Sequence, residues 1–263
     1  MTLDADLAAL ARTPRLLIAL DFDGTLAPLQ DEPMRSRMLP EARTALERLA
    51  ALPDTVVALV SGRTLAHLEE ISEHTADSRI HLAGSHGAEF WHPDDDGASH
   101  AAEPGADADE DATLRDDLIR RAQEIVAPLP GAWIEAKMFG FGLHTRLASE
   151  ADAAAATAAI DALVAERAPA WRRRTGQDIL EFASRQEGKD SAVRALRAQA
   201  EATAVLFAGD DVTDEDAMRV LTDGDLGVRV GPGDSAAALR VGNPQEMAQL
   251  LEALADERAS RRE

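Results

Sequence analysis

The sequence predicts an α/β fold: a doubly wound parallel sheet interrupted by a small inserted α+β cap domain. Two observations predict the sheet. Short apolar runs lack polar alternation, as strands covered on both faces do, and amphipathic helical patterns lie between them. A third observation predicts the insertion, because the middle of the chain switches to alternating, hairpin-like strands and later returns to the first rhythm.

Taken in order, the first strand is expected over residues 15–20, where Leu16-Leu17-Ile18-Ala19-Leu20 runs directly into Asp21. A helix follows over 40–52, with Ala42, Leu46, Leu49 and Ala50 on one face, then a strand over 55–60 and a helix over 64–74 carrying Leu65, Leu68 and Ile71. A third strand is expected at 79–83. Residues 92–112 bring Pro93, three consecutive aspartates, Gly97, Pro104, Gly105 and a further acidic run, and read as a surface loop or linker. Beyond it come a helix at 114–127, two alternating strands across 132–147, an alanine-rich helix at 151–168 and further strand at 179–182. From about Glu187 the helix-then-strand pattern resumes, with strands at 202–208 and 226–230. The tail after Leu254, with Arg258, Arg261 and Arg262, reads as a frayed helix end. The expected division is a core of residues 1–108 and 185–263 around an inserted domain of residues 109–184.

The bulk composition narrows the classes of function. A chain of 263 residues with 45% apolar and 29% charged residues has the balance of a globular protein that buries a sizeable core. It has no run of 18 uncharged apolar residues. The first 20 positions carry Asp4, Asp6, Arg12 and Arg15 where a secretion signal needs an apolar stretch, so a cytoplasmic location is expected. The absence of cysteine excludes disulfides, thiolate metal sites and cysteine nucleophiles, and favours a hard ion such as Mg2+ for any catalytic metal. A net charge of −21 argues against nucleic acid and anionic membranes as partners. The same charge would slow a phosphorylated metabolite, so a site for one must carry local positive charge. A small-molecule substrate and a monomeric state are expected.

Chemistry-bearing residues gather at the strand ends. The first strand ends in Asp21-Phe22-Asp23-Gly24-Thr25-Leu26, and in an open parallel sheet the ligand crevice lies at the carboxyl ends of the strands. Two aspartates flanking a tight turn suit a nucleophile and a proton shuttle; alone, the same pattern also describes an Asp-capped turn. The strand at 55–60 ends in Ser61-Gly62-Arg63, where a hydroxyl and a main-chain N–H can hold phosphate oxygens or simply cap a helix. The strand at 202–208 ends in Gly209 followed by Asp210, Asp211, Asp214, Glu215 and Asp216, a cluster that repels itself unless a cation is near. Lys189 opens the preceding helix and can supply fixed positive charge. In the middle segment Glu135 and Lys137 share one strand face, as do His144 and Arg146; that face suits either the hydroxyls of a disaccharide or cross-strand ion pairs.

This ordered set resembles the haloacid dehalogenase superfamily of phosphatases, and within it the trehalose-6-phosphate phosphatases. The closer likeness rests on residues 21–26, 61–63, Gly84-Ser85-His86-Gly87-Ala88-Glu89, Glu135-Ala136-Lys137, His144-Thr145-Arg146, Glu181 and residues 209–216. The resemblance implies a haloacid dehalogenase-like Rossmannoid core, with Asp21 as nucleophile and Asp23 as general acid and base. It implies Mg2+ on the Asp21 carboxylate, the Asp23 carbonyl and Asp210, with Asp211 and Asp214 ordering its waters or Lys189. Ser61 and Lys189 would hold the transferring phosphoryl group. Phe22, Gly62, Arg63 and His86 are expected to line the substrate crevice, and Glu135, Lys137 and Glu181 to contact the sugar. The inserted segment is similar to the family's cap, which closes over the substrate and excludes water. Two positions depart from the family pattern: Asp190 follows Lys189 where glycine is usual, and Gln177 stands where lysine is frequent.

The activity implied is hydrolysis of trehalose 6-phosphate to trehalose and inorganic phosphate, completing trehalose synthesis. Two alternatives remain open at this stage: a related Mg2+-dependent phosphatase acting on sucrose phosphate or a glycosyl-phosphoglycerate, and a non-catalytic regulatory module that partners a synthase.

Overall fold

The structure, a computed structural model, describes residues 5–93, 99–101, 108–137, 139–176, 178–185 and 187–260. Its strands are β1 (Leu16–Leu20), β2 (Thr55–Val60), β3 (Ile80–Gly84), β4 (Glu89–Trp91), β5 (Ser99–Ala101), β6 (Trp133–Lys137), β7 (Gly140–His144), β8 (Arg172–Gly176), β9 (Ile179–Ala183), β10 (Ala204–Gly209), β11 (Leu226–Val230) and β12 (Leu239–Val241). Its helices are α1 (Ala5–Leu10), α2 (Pro40–Ala51), α3 (Leu65–Ser72), α4 (Ala108–Val126), α5 (Glu150–Arg167), α6 (Lys189–Gln199), α7 (Val212–Met218) and α8 (Pro244–Ser260). They divide into two compact units, Met1–Ala102 with Glu187–Glu263, and Glu103–Gln186.

The first unit is built on an eight-stranded sheet in the order β12-β11-β10-β1-β2-β3-β4-β5. Pairing is parallel from β12 to β3 and antiparallel from β3 through β5. β1 lies between β10 and β2, with Leu16 opposite both Ala204 and Thr55. Leu16, Ile18 and Leu20 pack into the core that takes in α1, α2, α3 and α8, while Leu17 and Ala19 join the core formed with α6 and α7. Both faces of β1 are therefore covered, which is why its sequence shows no alternation. Parallel pairing also brings the carboxyl ends of β1, β2 and β10, and so Asp21, Ser61 and Asp210, to one edge of the sheet.

The second unit carries a four-stranded antiparallel sheet, ordered β6-β7-β9-β8. Phe141, Leu143, Leu180 and Phe182 point to one face and pack on Leu118, Ala122 and Val126 of α4 and on Ala156, Ile160 and Val164 of α5. By alternation Trp133, Glu135 and Lys137 of β6 share the other face with His144 and Glu181, and Glu135 lies opposite Gly142, which lies opposite Glu181.

Several expectations are corrected. Residues 92–112 are not one loop: β5 extends the sheet and α4 begins at Ala108, with residues 94–98 and 102–107 outside the described residues. The sheet is mixed at the β4–β5 edge rather than parallel throughout. β4, β5 and β12 have three residues each, too few to carry a period. β8 was hidden because Arg172, Arg173 and Arg174 are a polar run; it is an edge strand, where such residues are common. Up to Ser260 the tail is not frayed. α8 runs to Ser260 and buries Leu254, Ala255 and Arg258, whose guanidinium donates to Thr55 Oγ1 (2.7 Å) and to the carbonyls of Ala11 (3.1 Å), Thr13 (3.0 Å) and Asp54 (2.7 Å). Arg261, Arg262 and Gln177 lie outside the described residues.

Candidate active site

At the end of β1 the chain turns tightly through Gly24, whose φ of 74° suits glycine and whose missing Cβ leaves room for the Asp210 carboxylate. Gly209 does the same for Asp214, since a side chain there would meet that carboxylate. Carboxylate oxygens of Asp21, Asp210 and Asp214 consequently lie within 4.8 Å of one another. Lys189, at the first turn of α6 and only 3% exposed, donates from Nζ to Asp21 Oδ1 and to Asp214 Oδ1, both at 2.6 Å.

Three carboxylates faced by one ammonium leave a formal excess of two negative charges in a buried site. Burial raises the Asp21 carboxyl well above its ordinary range; Lys189 opposes this, and the charges of Asp214 and Asp210 add to it. Asp210 is pushed up to about 7, by burial first and then by the Asp214 charge. Asp214 is also raised by burial, against the pull of Lys189. Burial works to strip the proton from Lys189, but Asp21 and Asp214 outweigh it and hold the ammonium charged. A divalent cation would reverse the carboxylate shifts, and an all-oxygen donor set suits a hard one. The residues therefore fit the metal that the sequence implies.

The acidic run after β10 divides its labour. Asp210 and Asp214 face Asp21, whereas Asp211 caps α7, accepting from Val212 N (2.6 Å), and its own N–H donates to Asp214 Oδ2 (2.9 Å). Glu215 is occupied with Arg229 (3.5 Å) and the amide of Ala236 (2.8 Å).

Asp23 points elsewhere. Its carboxylate accepts two bonds from Arg63, Nε at 2.5 Å and Nη2 at 2.9 Å, and one from Ser36 Oγ at 2.7 Å. Arg63, expected to line the crevice, thus spends its guanidinium on Asp23. Ser36 had no signal in the sequence, because nothing in residues 33–36 follows a motif. Thr25 likewise stands 3.5 Å from Asp21 Oδ2.

The loops after β2 and β3 interlock: Ser85 N donates to Arg63 O (2.6 Å) and His86 N to Ser61 O (2.9 Å). Ser85 and His86 both adopt left-handed φ, 49° and 57°, a costly pair for non-glycine residues. Glu89 holds Ser85 to the start of α3, its Oε2 accepting from Ser85 Oγ (2.5 Å) and Leu65 N (3.2 Å). The His86 ring lies against Gly62 where a side chain would stand. Ser61 is buried and its Oγ accepts from Arg63 N at 3.2 Å. Phe22, expected to touch substrate, has its ring fully inside the core.

In the second unit Glu135 Oε2 lies 2.9 Å from His144 Nε2 and 3.9 Å from Lys137 Nζ, and Lys137 pairs with Glu181. The bond from His144 keeps the Glu135 carboxyl below its usual range. The three residues expected to contact sugar are therefore together, and both the shared face and the cross-strand pairs anticipated for it exist.

Comparison with known proteins adds four findings. Residues 19–256 match the family model for trehalose-phosphatase. A trehalose-phosphate phosphatase of Mycobacterium avium (strain 104) is 32% identical over 254 residues, which cover 91% of this chain and 62% of that relative; the chain thus spans less of the mycobacterial protein than of the next. A trehalose-6-phosphate phosphatase of Escherichia coli (strain K12) is 30% identical over 246 residues, covering 92% of this chain and 88% of the relative. Among solved structures, the C-terminal domain of C. albicans trehalose-6-phosphate phosphatase superposes with a TM-score of 0.78 at 20% identity, covering 95% of each chain, a likeness of fold.

Proposed function

The chain belongs to the trehalose-phosphatase family, and from that membership we propose that it hydrolyses trehalose 6-phosphate to trehalose and inorganic phosphate through an aspartyl phosphate on Asp21. The observation that carries the reading is the buried Asp21 carboxylate, set against Lys189 and two further aspartates at the carboxyl end of β1.

An Asp21 oxygen attacks phosphorus as the bond from phosphorus to the sugar oxygen breaks, and Asp23 delivers a proton to the departing oxygen. Water then attacks the aspartyl phosphate, Asp23 takes its proton, and inorganic phosphate leaves with the Asp21 carboxylate restored. Arg63 and Ser36 orient Asp23 for both transfers. Lys189 and Ser61 hold the phosphoryl oxygens, with the main chain of residues 61–63 and His86 shaping the pocket for them. Mg2+ is the cation proposed; Asp21, Asp210 and the main chain of Asp23 would hold it, and it would offset the repulsion between phosphate and attacking carboxylate. Asp211 and Asp214 would order its surroundings. Glu135, Lys137 and Glu181 contact the sugar.

We place this activity in the cytoplasm and in a monomer; among the described residues no helix is long and apolar enough to cross a membrane. Phosphate release from a panel of sugar phosphates tests the reading: trehalose 6-phosphate should be preferred over sucrose phosphate and glycosyl-phosphoglycerate. Preference for another sugar would refute the substrate, and absence of release from all of them would point to the regulatory module.

A further inference from the structure

Trp133 and His144 form a directly opposed cross-strand pair on β6 and β7. Their rings are parallel to within 1°, with centroids 3.9 Å apart. Yet Trp133 remains 47% exposed, and it is the one aromatic among the large apolar side chains that the described residues leave in solvent. Trp91, by contrast, is in the core, and Trp171 packs beside Phe141. A stacked indole left open in this way keeps apolar surface in water that the fold itself does not use.

Its surroundings say what would cover it. His144 is held in place through Nε2 by Glu135, and along the same strand come the Glu135 carboxylate and the Lys137 ammonium, with Glu181 paired to Lys137. Gly142 puts no side chain between them; a Cβ there would lie 3.6 Å from Lys137 and 3.7 Å from Glu135. The face therefore offers, in sequence, a flat aromatic plane and then alternating acceptors and donors roughly 6.6 Å further along the strand. A hexopyranose has the matching pattern: a ring face of C–H bonds and a rim of hydroxyls that both donate and accept.

We infer that Trp133, braced by His144, is a stacking platform for one hexopyranose ring of the substrate and so a specificity-determining residue. The inference rests on the reading of the chain as a sugar phosphatase and deepens it by naming the group that grips the ring's apolar face. It sets Trp133 apart from a residue that only supports the sheet edge.

The test uses the full chain with Mg2+ and compares kcat/KM for trehalose 6-phosphate with kcat/KM for p-nitrophenyl phosphate. Trp133→Ala should lower the ratio of the two about tenfold, through KM of the sugar phosphate, whereas Trp133→Phe should stay within about threefold of the parent. Trp133→Thr, which keeps β-propensity, replaces the alanine variant if that one unfolds. A ratio that stays within about twofold, or equal losses for both substrates, would overturn the platform. If another sugar phosphate proves to be preferred, the proposed substrate fails, and the platform stands or falls on the same ratio measured with that sugar.

Discussion

Lys189 Nζ lies 2.6 Å from Asp21 Oδ1 and the same distance from Asp214 Oδ1, although 168 residues separate Lys189 from Asp21 in the chain. One buried ammonium is thus shared by two carboxylates while a third, Asp210, stands beside them. Lys189→Met removes that charge with little change of volume. Phosphate release should fall by at least about 10²-fold, the usual loss when one charge-stabilising donor is removed. The variant should also gain more thermal stability from added Mg2+ than the parent does, because the carboxylates are then balanced by the cation alone. An equal or smaller gain in Tm would contradict the charge balance drawn for this cluster.

Asp21→Asn keeps the shape of the side chain and removes its nucleophilic oxygen. Turnover should drop at least about 10³-fold while circular dichroism and Tm stay close to the parent's. Rapid acid quenching followed by mass spectrometry should trap a phosphorylated Asp21 in the parent and none in the variant. Normal turnover by the asparagine variant would remove Asp21 from the mechanism.

Cation binding should depend on pH through Asp210, whose carboxyl burial and the Asp214 charge push up to about 7. Below that pH a cation must displace a proton; above it the carboxylate is already free. Mg2+ affinity should therefore rise as pH increases toward about 7, with proton release on the acid side. Calorimetry in buffers of different ionisation enthalpy measures both, and pH-independent binding across this range would count against Asp210 as a ligand.

His74 sits edge-on to Trp91, ring centroids 4.3 Å apart, and its Nε2 is buried without a hydrogen-bond partner. Burial lowers its pKa to about 4 from an ordinary 6.5, so the folded state keeps it neutral where the unfolded chain takes up a proton. Its contribution is complete above about pH 6.5 and is lost as pH falls toward 4. After allowance for its partial exposure, the loss should be about 1–2 kcal/mol. Urea unfolding at a series of pH values should show His74→Gln with a flatter acid limb than the parent; identical limbs would show that His74 titrates normally.

Arg258 ties the last helix to the α1–β1 and α2–β2 connections through four hydrogen bonds while only 3% exposed. Arg258→Met should cost about 2–4 kcal/mol of stability, because Thr55 and three carbonyls lose their donor in a buried setting. KM for the sugar phosphate should stay within about twofold of the parent's. A stability change below about 0.5 kcal/mol would mean that water replaces the guanidinium without loss.

The sequence alone determined β1, β2, β10 and β11, the two-part organisation and the strand-end motifs. The reason is local: a parallel strand covered on both faces must be an unbroken apolar run, and a crevice at the strand ends must be lined by whatever follows that run. Asp21, Ser61 and Asp210 were legible because each is the first polar residue after such a strand. β4, β5 and β12 were not, because three residues set no period, and β8 was not, because its arginines hide the strand.

Only the tertiary structure decided which partner each charge takes. It sent Asp214 to Lys189, Asp211 to the α7 cap, Glu215 to Arg229 and Arg63 to Asp23. It also turned Arg258, at the end of an apparently frayed tail, into a buried anchor, and laid His144 flat against Trp133. Composition and period report whether a residue is covered, and they carry no record of what covers it. Ion pairs and ring stacks between residues far apart in sequence are fixed by strand register and helix docking, which exist only once the chain has folded.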